Sequence, residues 1–191
     1  ALEILLGIPQ DSPVYPAARR QAARMLYEAY RQAPENLRDS AALRFADIAE
    51  PLLRAEHARA MGERDAAGME AAKGVALRAR QLAEVILGMS APDVPRARAA
   101  LEALESAANY QGLDTRDLAP ELSLRRMQAA LATGDQSGVE RELSSLRRTG
   151  GVFADFAERI LYRNSLKLWK ASSGDPNAAM GAAPDSASAS P

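Results

Sequence analysis

Apolar residues recur along most of the chain at the three- and four-residue spacing that places them on one face of a helix. In residues 14–32, for example, a stripe about 100° wide on a helical wheel contains Tyr15, Ala18, Ala22, Met25, Leu26 and Ala29. The same reading along the chain predicts helices near residues 1–6, 14–32, 37–61, 63–89, 93–110, 117–132, 136–148 and 152–171. We therefore expect an all-α fold.

Short turns that contain proline or Gly-Asp separate these helices. Two of them are nearly alike, Ala132-Thr133-Gly134-Asp135 and Ser172-Ser173-Gly174-Asp175, and the glycines are 40 residues apart (134 to 174). A turn that recurs at such a period is typical of stacked helical repeats, in which each helix pair buries its apolar face only against its neighbours. We predict a repeat domain over residues 1–175. The Ala/Ser/Pro-rich residues 176–191 are predicted to be a disordered tail with at most a short helical turn near 177–180.

Three residues inside the predicted helices oppose helix formation. Pro51 is expected to kink or restart the second long helix, because proline cannot donate the backbone hydrogen bond there. Gly68 and Gly74 are expected to weaken the next helix by about 1 kcal/mol each relative to alanine. At the start of the helices, Asp93 and Asp117 are the predicted N-caps.

The arrangement resembles the tetratricopeptide repeat (TPR) family in its divergent bacterial form. When residues 122–148 are aligned on the Gly-Asp turn, Val139, Leu143 and Leu146 stand where the family places small or apolar residues. The opening stretch Ile8-Pro9-x-Asp11-Ser12-Pro13-x-Tyr15-x-x-Ala18-x-x-x-Ala22 resembles a junction between repeats. The chain departs from the family at Arg126 and Met127, and its 40-residue spacing exceeds the usual period of about 34. The resemblance implies antiparallel hairpins stacked in a short right-handed solenoid; a generic helical bundle is the alternative.

Composition narrows the functional classes. The formal net charge is −1, so general attraction to nucleic acid or to an anionic membrane is not expected, and no basic and aromatic stripe repeats along the hairpins. Cysteine is absent, which excludes disulfides and thiolate metal sites. Apolar runs are too short for a membrane span. Abundant arginine and alanine suggest a GC-rich bacterial source, in the cytoplasm or the cell envelope. The apolar start at Ala1 predicts a segment of a longer array.

No enzymatic signature is evident. The lone histidine, His57, is expected on a helix surface, and the carboxylate pairs Asp47/Glu50 and Glu102/Glu105 lie among arginines, which suits exposed ion pairs such as Glu50–Arg54. Nucleotide-binding loops and serine-nucleophile motifs are absent. We predict no catalytic residue, no metal ligand and no cofactor.

The last helix has two apolar stripes, and this is the strongest candidate for a binding site. One arc is formed by Phe153, Phe156, Ala157, Ile160, Leu161 and Leu168, and the opposite arc by Tyr162, Leu166 and Trp169. Beside the second arc lie the basic residues Arg159, Arg163, Lys167 and Lys170, which suit a carboxylate or an acidic peptide. The second stripe is covered by the 177–180 turn, by a partner protein or by a second copy of the chain.

These observations favour a non-catalytic scaffold that binds other proteins or peptides. The predicted contact residues are Arg159, Tyr162, Arg163, Leu166, Lys167, Trp169 and Lys170. Two alternatives are a structural homo-oligomerisation domain and an accessory helical domain of a larger enzyme.

Overall fold

The protein is all-helical over the part that a computed structural model describes, residues 1–63, 65–110 and 118–172. These residues form eight α-helices and contain no strand: α1 (Leu2–Leu6), α2 (Tyr15–Gln32), α3 (Glu35–Gly62), α4 (Ala66–Leu87), α5 (Val94–Ala108), α6 (Leu118–Thr133), α7 (Gln136–Thr149) and α8 (Val152–Ser172). The predicted all-α fold class is thus confirmed. The predicted cap Asp117, the second turn Gly174-Asp175 and the tail 176–191 lie outside the described residues.

Aspartates set the first residue of three helices. The carboxylate of Asp93 accepts the backbone N–H of Arg96 at 3.1 Å, as predicted, and Asp65 and Asp135 cap α4 and α7 in the same way. Each of these carboxylates satisfies an N–H that has no partner inside the helix. The pKa of Asp135 is lowered, chiefly because its carboxylate accepts a hydrogen bond from the Gly138 N–H. Asp65 was not predicted as a cap, and α4 consequently begins at residue 66 and not at 63.

The Gly134-Asp135 turn has the geometry that its sequence suggests. Gly134 has φ +71°, a left-handed conformation that glycine adopts without steric cost. The N–H of Asp135 donates to the carbonyl of Ala130 at 2.9 Å, and that of Gly134 donates to Leu131 at 3.3 Å. This pair of bonds is a Schellman motif, which ends α6 and lets α7 fold back against it at once.

The helices α4 and α6 lie side by side and run in the same direction. Arg80 of α4 pairs with Glu121 of α6 at 2.8 Å, and Glu84 pairs with Arg125 at 3.0 Å. The partners are 41 residues apart in both pairs (80 to 121 and 84 to 125). A constant difference in number identifies parallel helices, because antiparallel helices would give a constant sum. The two ion pairs therefore fix the register of these helices.

The helix α2 also approaches α4, through Tyr27 and Tyr30. The Glu84 carboxylate lies near the Tyr27 phenol, and burial of the phenol, assisted by this carboxylate, raises the pKa of Tyr27 to about 12. One turn further along, the Tyr30 hydroxyl lies 2.6 Å from the point that a Cβ on Gly88 would occupy. The intervening helices α3 and α5 connect through Glu50 and Arg96, 2.8 Å apart. Glu50 therefore contacts another helix, and the predicted pairing with Arg54 is replaced by this one.

Two apolar clusters hold these helices together. The larger spans α2 to α6 and contains many alanines, which allow close approach of helix axes, around large residues such as Phe45, Leu82 and Leu104. The smaller joins α6, α7 and α8 through Leu124, Met127, Ala130, Val139, Leu146 and Ala157. The helix α6 contributes to both clusters. It is therefore the element through which α7 and α8 are attached to the rest of the protein.

The structure bears on two expectations about helix interiors. The helix α3 continues through Pro51 without the restart that was one of the two expected outcomes, and Pro51 is exposed there. His57 is partly buried and not fully exposed as expected, and its Nδ1 is buried without a hydrogen bond to the described residues. Both residues lie on α3, which packs against α2 and α4.

Candidate functional site

The candidate site is built on α8, the last described helix. Two glycines with positive φ, Gly150 (+69°) and Gly151 (+80°), end α7 and turn the chain into α8. The helix packs on both α6 and α7. Ala157 is fully buried at this contact, and Arg147 of α7 pairs with Glu158 at 2.6 Å. These contacts fix the first half of α8 against the protein.

The second half of α8 extends beyond the helices that support it. With a rise of about 1.5 Å per residue, the 21 residues of α8 span about 31 Å and the 14 residues of α7 about 21 Å. Because α8 begins next to the last residue of α7 and folds back along it, about two turns of α8 pass the start of α7. The exposure of the side chains agrees with these lengths. In residues 162–169 every side chain is exposed except that of Asn164, which is partly buried. By these lengths the part of α8 that passes the start of α7 begins near residue 166, and the exposed stretch begins one turn earlier; we call the exposed residues 162–169 the α8 overhang.

Large apolar side chains are exposed on both sides of the α8 overhang. At about 100° per residue, Leu168 falls within about 20° of the buried Ala157, yet it is 63% exposed. Leu166 and Trp169 lie on roughly the opposite side and are 37% and 64% exposed, and Tyr162 between them is 70% exposed. Exposed apolar clusters of this kind are typical of protein interaction sites.

The polar residues of this part of α8 are all basic or neutral. Arg159, Arg163 and Lys167 are exposed, and the sequence has no acidic residue between Glu158 and Lys170. The Arg159 guanidinium lies 6.0 Å from the centre of the Phe156 ring, a distance at the limit of a cation–π contact. Lys170 lies within α8, and its side chain is outside the described residues. The site is therefore apolar with a basic border.

Five of the seven predicted contact residues lie in the α8 overhang, and a sixth, Arg159, is exposed three residues before it. The structure also adds residues that the sequence analysis placed elsewhere. Phe156 and Leu168 were predicted to face the protein, but both are exposed, Phe156 by 47%. Val152 is exposed as well. For Leu168 the error arose because helical periodicity gives the direction of a side chain but not the point at which the neighbouring helices end.

A separate group of charged side chains is buried between α2, α3 and α4. Glu56 is 6% exposed and Arg78 is 5% exposed, and Nη1 of Arg20 lies 3.8 Å from Oε1 of Glu56. Gly74 leaves room for this carboxylate, since a Cβ there would lie 2.8 and 2.9 Å from its two oxygens. Burial raises the pKa of Glu56, opposed by the charges of Arg78 and Arg20, and burial lowers the pKa of Arg78. The ionised carboxylate is therefore less stable here than in water.

We expect Glu56→Gln to stabilise the protein at neutral pH. Because the folded state raises the pKa above its ordinary value of 4.5, ionisation of Glu56 costs stability once the pH exceeds that value, and an amide avoids the cost. Urea unfolding at pH 7 should show a higher midpoint for Glu56→Gln than for the parent, and the difference should vanish as the pH falls below about 4.5. Glu28→Gln, at an exposed carboxylate, is the control and should change little. A lower midpoint for Glu56→Gln at pH 7 would contradict this account.

One cavity among the described residues was considered as a reaction site. It measures about 580 Å³ and lies where α3 meets α4 beside the end of α5. Its two acids already have structural partners, because Glu63 pairs with Arg59 at 2.9 Å and Asp65 caps α4. Within residues 1–63, 65–110 and 118–172, no group of three or more His, Cys, Asp or Glu side chains could hold a metal ion.

None of the described helices combines the length and the apolar character needed to cross a membrane. Searches of family models, curated proteins and solved structures found no match to the chain. Function must therefore be argued from the geometry of the α8 overhang.

Proposed function

We propose that this chain is a non-catalytic helical-repeat module that binds another protein through the α8 overhang. The observation that carries the proposal is the exposure of Leu168 on one side of α8 and of Leu166 and Trp169 on the other. Burying such side chains gains about 25 cal/mol for each Å² of apolar surface, so a partner that covers them is strongly favoured. A helix is also a rigid platform, which limits the entropy lost on binding.

The arrangement of the other helices supports a solenoid as the scaffold of this site. The parallel direction of α4 and α6, the approach of α2 to α4 through Tyr27 and Tyr30, and the packing of α3 and α5 against these helices suit hairpins that stack in one direction. The 41-residue offset of the α4–α6 ion pairs is close to the spacing of the Gly-Asp turns in the sequence. We infer a short TPR-like stack in which α8 begins the next unit. A scaffold of this kind also suits the accessory domain of a larger enzyme.

The test is a selection of displayed helical peptides on the full chain, followed by binding measurements with two matched variants. Leu166→Asp with Leu168→Asp places charges in the α8 overhang, and Leu37→Asp with Leu43→Asp makes the same change at exposed leucines of α3. Helices selected on the parent should lose at least about tenfold in affinity for the α8 variant, or about 1.4 kcal/mol, and should retain affinity for the α3 variant.

Two outcomes would contradict the proposal. One is a selection that enriches no helix, or helices that bind the α8 variant as well as the parent. The other is a parent chain that sediments as a dimer and becomes a monomer in the α8 variant. In that case the surface joins two copies of the chain, and the homo-oligomerisation function replaces the one proposed here. Circular dichroism of each variant checks that helix content is unchanged.

A further inference from the structure

We propose that the segment bound by the α8 overhang is an acidic amphipathic helix. This inference rests on the proposed function and specifies the chemistry of the partner. Basic side chains accompany the exposed apolar ones, and complementary charge steers and selects a partner at such a surface.

The basic residues are placed to contact the borders of a bound helix. Arg163 and Lys167 are one helical turn apart on the same side of α8, on either side of Leu166 in sequence. Neither forms an ion pair with any residue that the structure describes, whereas Glu158, one turn before Tyr162, is already paired with Arg147. An approaching helix with leucines on one face and glutamates beside them would therefore meet apolar residues and two available cations together.

The same charges disfavour a second copy of the chain as the occupant. Residues 159–170 contain four basic and no acidic residues, so two overhangs packed against each other would bring like charges together in either direction. Like charges directly opposed across an interface are repulsive and reduce association.

A membrane surface is also a poorer fit than a helix. A helix that lies in a membrane interface has one apolar face and one polar face. Here Leu168 lies roughly opposite Leu166, so no single plane covers both. The formal net charge of −1 gives the whole chain no general attraction to anionic lipid. A bound helix needs to cover only the side that carries Tyr162, Leu166 and Trp169, and the rest of its protein can contact Leu168, whereas a planar bilayer would leave one side exposed.

Trp169 allows a direct test, because it is the only tryptophan of the chain and lies within the overhang. Two peptides without tryptophan would be titrated into the full chain, with identical leucines and with either glutamates or lysines beside them. The acidic peptide should shift the Trp169 emission to shorter wavelength and bind at least about tenfold more tightly than the basic peptide. Its affinity should fall several-fold between 0.05 and about 0.5 M NaCl, because salt screens exposed charges.

Charge reversal provides the matched control. R163E with K167E should reverse the preference, so that the basic peptide binds more tightly than the acidic one. R44E with R54E makes an equal change in net charge at exposed arginines of α3 and should leave the preference unchanged. A general effect of net charge would instead alter both variants equally and would overturn the inference.

The remaining outcomes separate this inference from the proposed function. If basic or neutral helices bind the overhang as tightly as acidic ones, the inference fails and the proposed function stands. If no helix shifts the Trp169 emission, both fail. A shift caused by phosphatidylserine–phosphatidylcholine vesicles without one caused by the acidic peptide assigns the surface to lipid and overturns the inference. A shift of the Trp169 emission that depends only on the concentration of the chain itself assigns the surface to self-association and also overturns the inference.

Discussion

Replacing Phe45 by alanine is expected to lower the free energy of unfolding by about 3–5 kcal/mol. Phe45 is fully buried in the larger apolar cluster and packs against Tyr27, with ring centres 5.6 Å apart and planes tilted by 52°. Removal of the ring leaves a cavity beside the alanines Ala42, Ala46 and Ala49, whose short side chains cannot move in to fill it. The cost is therefore expected to include the full cavity term and not only the lost transfer energy.

Phe156→Ala is the matched control for this change. The same atoms are removed, but Phe156 is 47% exposed on α8, so the loss should be below about 1 kcal/mol. Urea or thermal unfolding of both variants gives the comparison, with an expected decrease in Tm of about 6–20 °C for Phe45→Ala. If both variants lost the same free energy of unfolding, Phe45 would not be buried, or Phe156 would not be exposed, as described here.

The existence and type of the helices were predictable because their signals are local. The Asp93 cap and the Gly134-Asp135 turn act through residues close in sequence, and the structure uses both as predicted; the two glycines that end α7 act in the same local way. Asp65 caps α4 through the same kind of local contact, but the sequence analysis placed the start of this helix at residue 63.

The tertiary contacts could not be predicted in the same way. Nothing near Phe45 in sequence distinguishes it from Phe156, because burial depends on which helix packs over each position. Similarly, the ion pairs between α4 and α6 join residues 41 positions apart and depend on the stacking of the hairpins. The stripes of α8 were visible in the sequence. The exposure of Leu168 was not, because it depends on where α6 and α7 end.

Gly68→Ala is the second substitution with a large expected effect, and its sign is the reverse of that expected from helix propensity. Propensity alone predicts a gain of about 1 kcal/mol. The structure predicts a loss, because a Cβ on Gly68 would lie 2.0 Å from the backbone carbonyl oxygen of Glu63. That oxygen belongs to the chain between α3 and α4 and cannot rotate away as a side chain would. Overpacking of this kind costs about 1–3 kcal/mol, and after the gain in propensity is subtracted we expect a net loss of about 1 kcal/mol, up to about 2 kcal/mol.

Gly62→Ala isolates the packing effect from the propensity effect. Gly62 is the last residue of α3, and a Cβ there would meet nothing within 4 Å, so this variant should gain up to about 1 kcal/mol. The two glycines stand on either side of one turn and undergo the same chemical change, and opposite shifts in the urea midpoint are the expected result. If both variants gain stability, α4 does not approach Glu63 as closely as described, and Gly68 is only a weak point in its helix. Opposite signs would establish that Gly68 is required by the close approach of α4 to the end of α3.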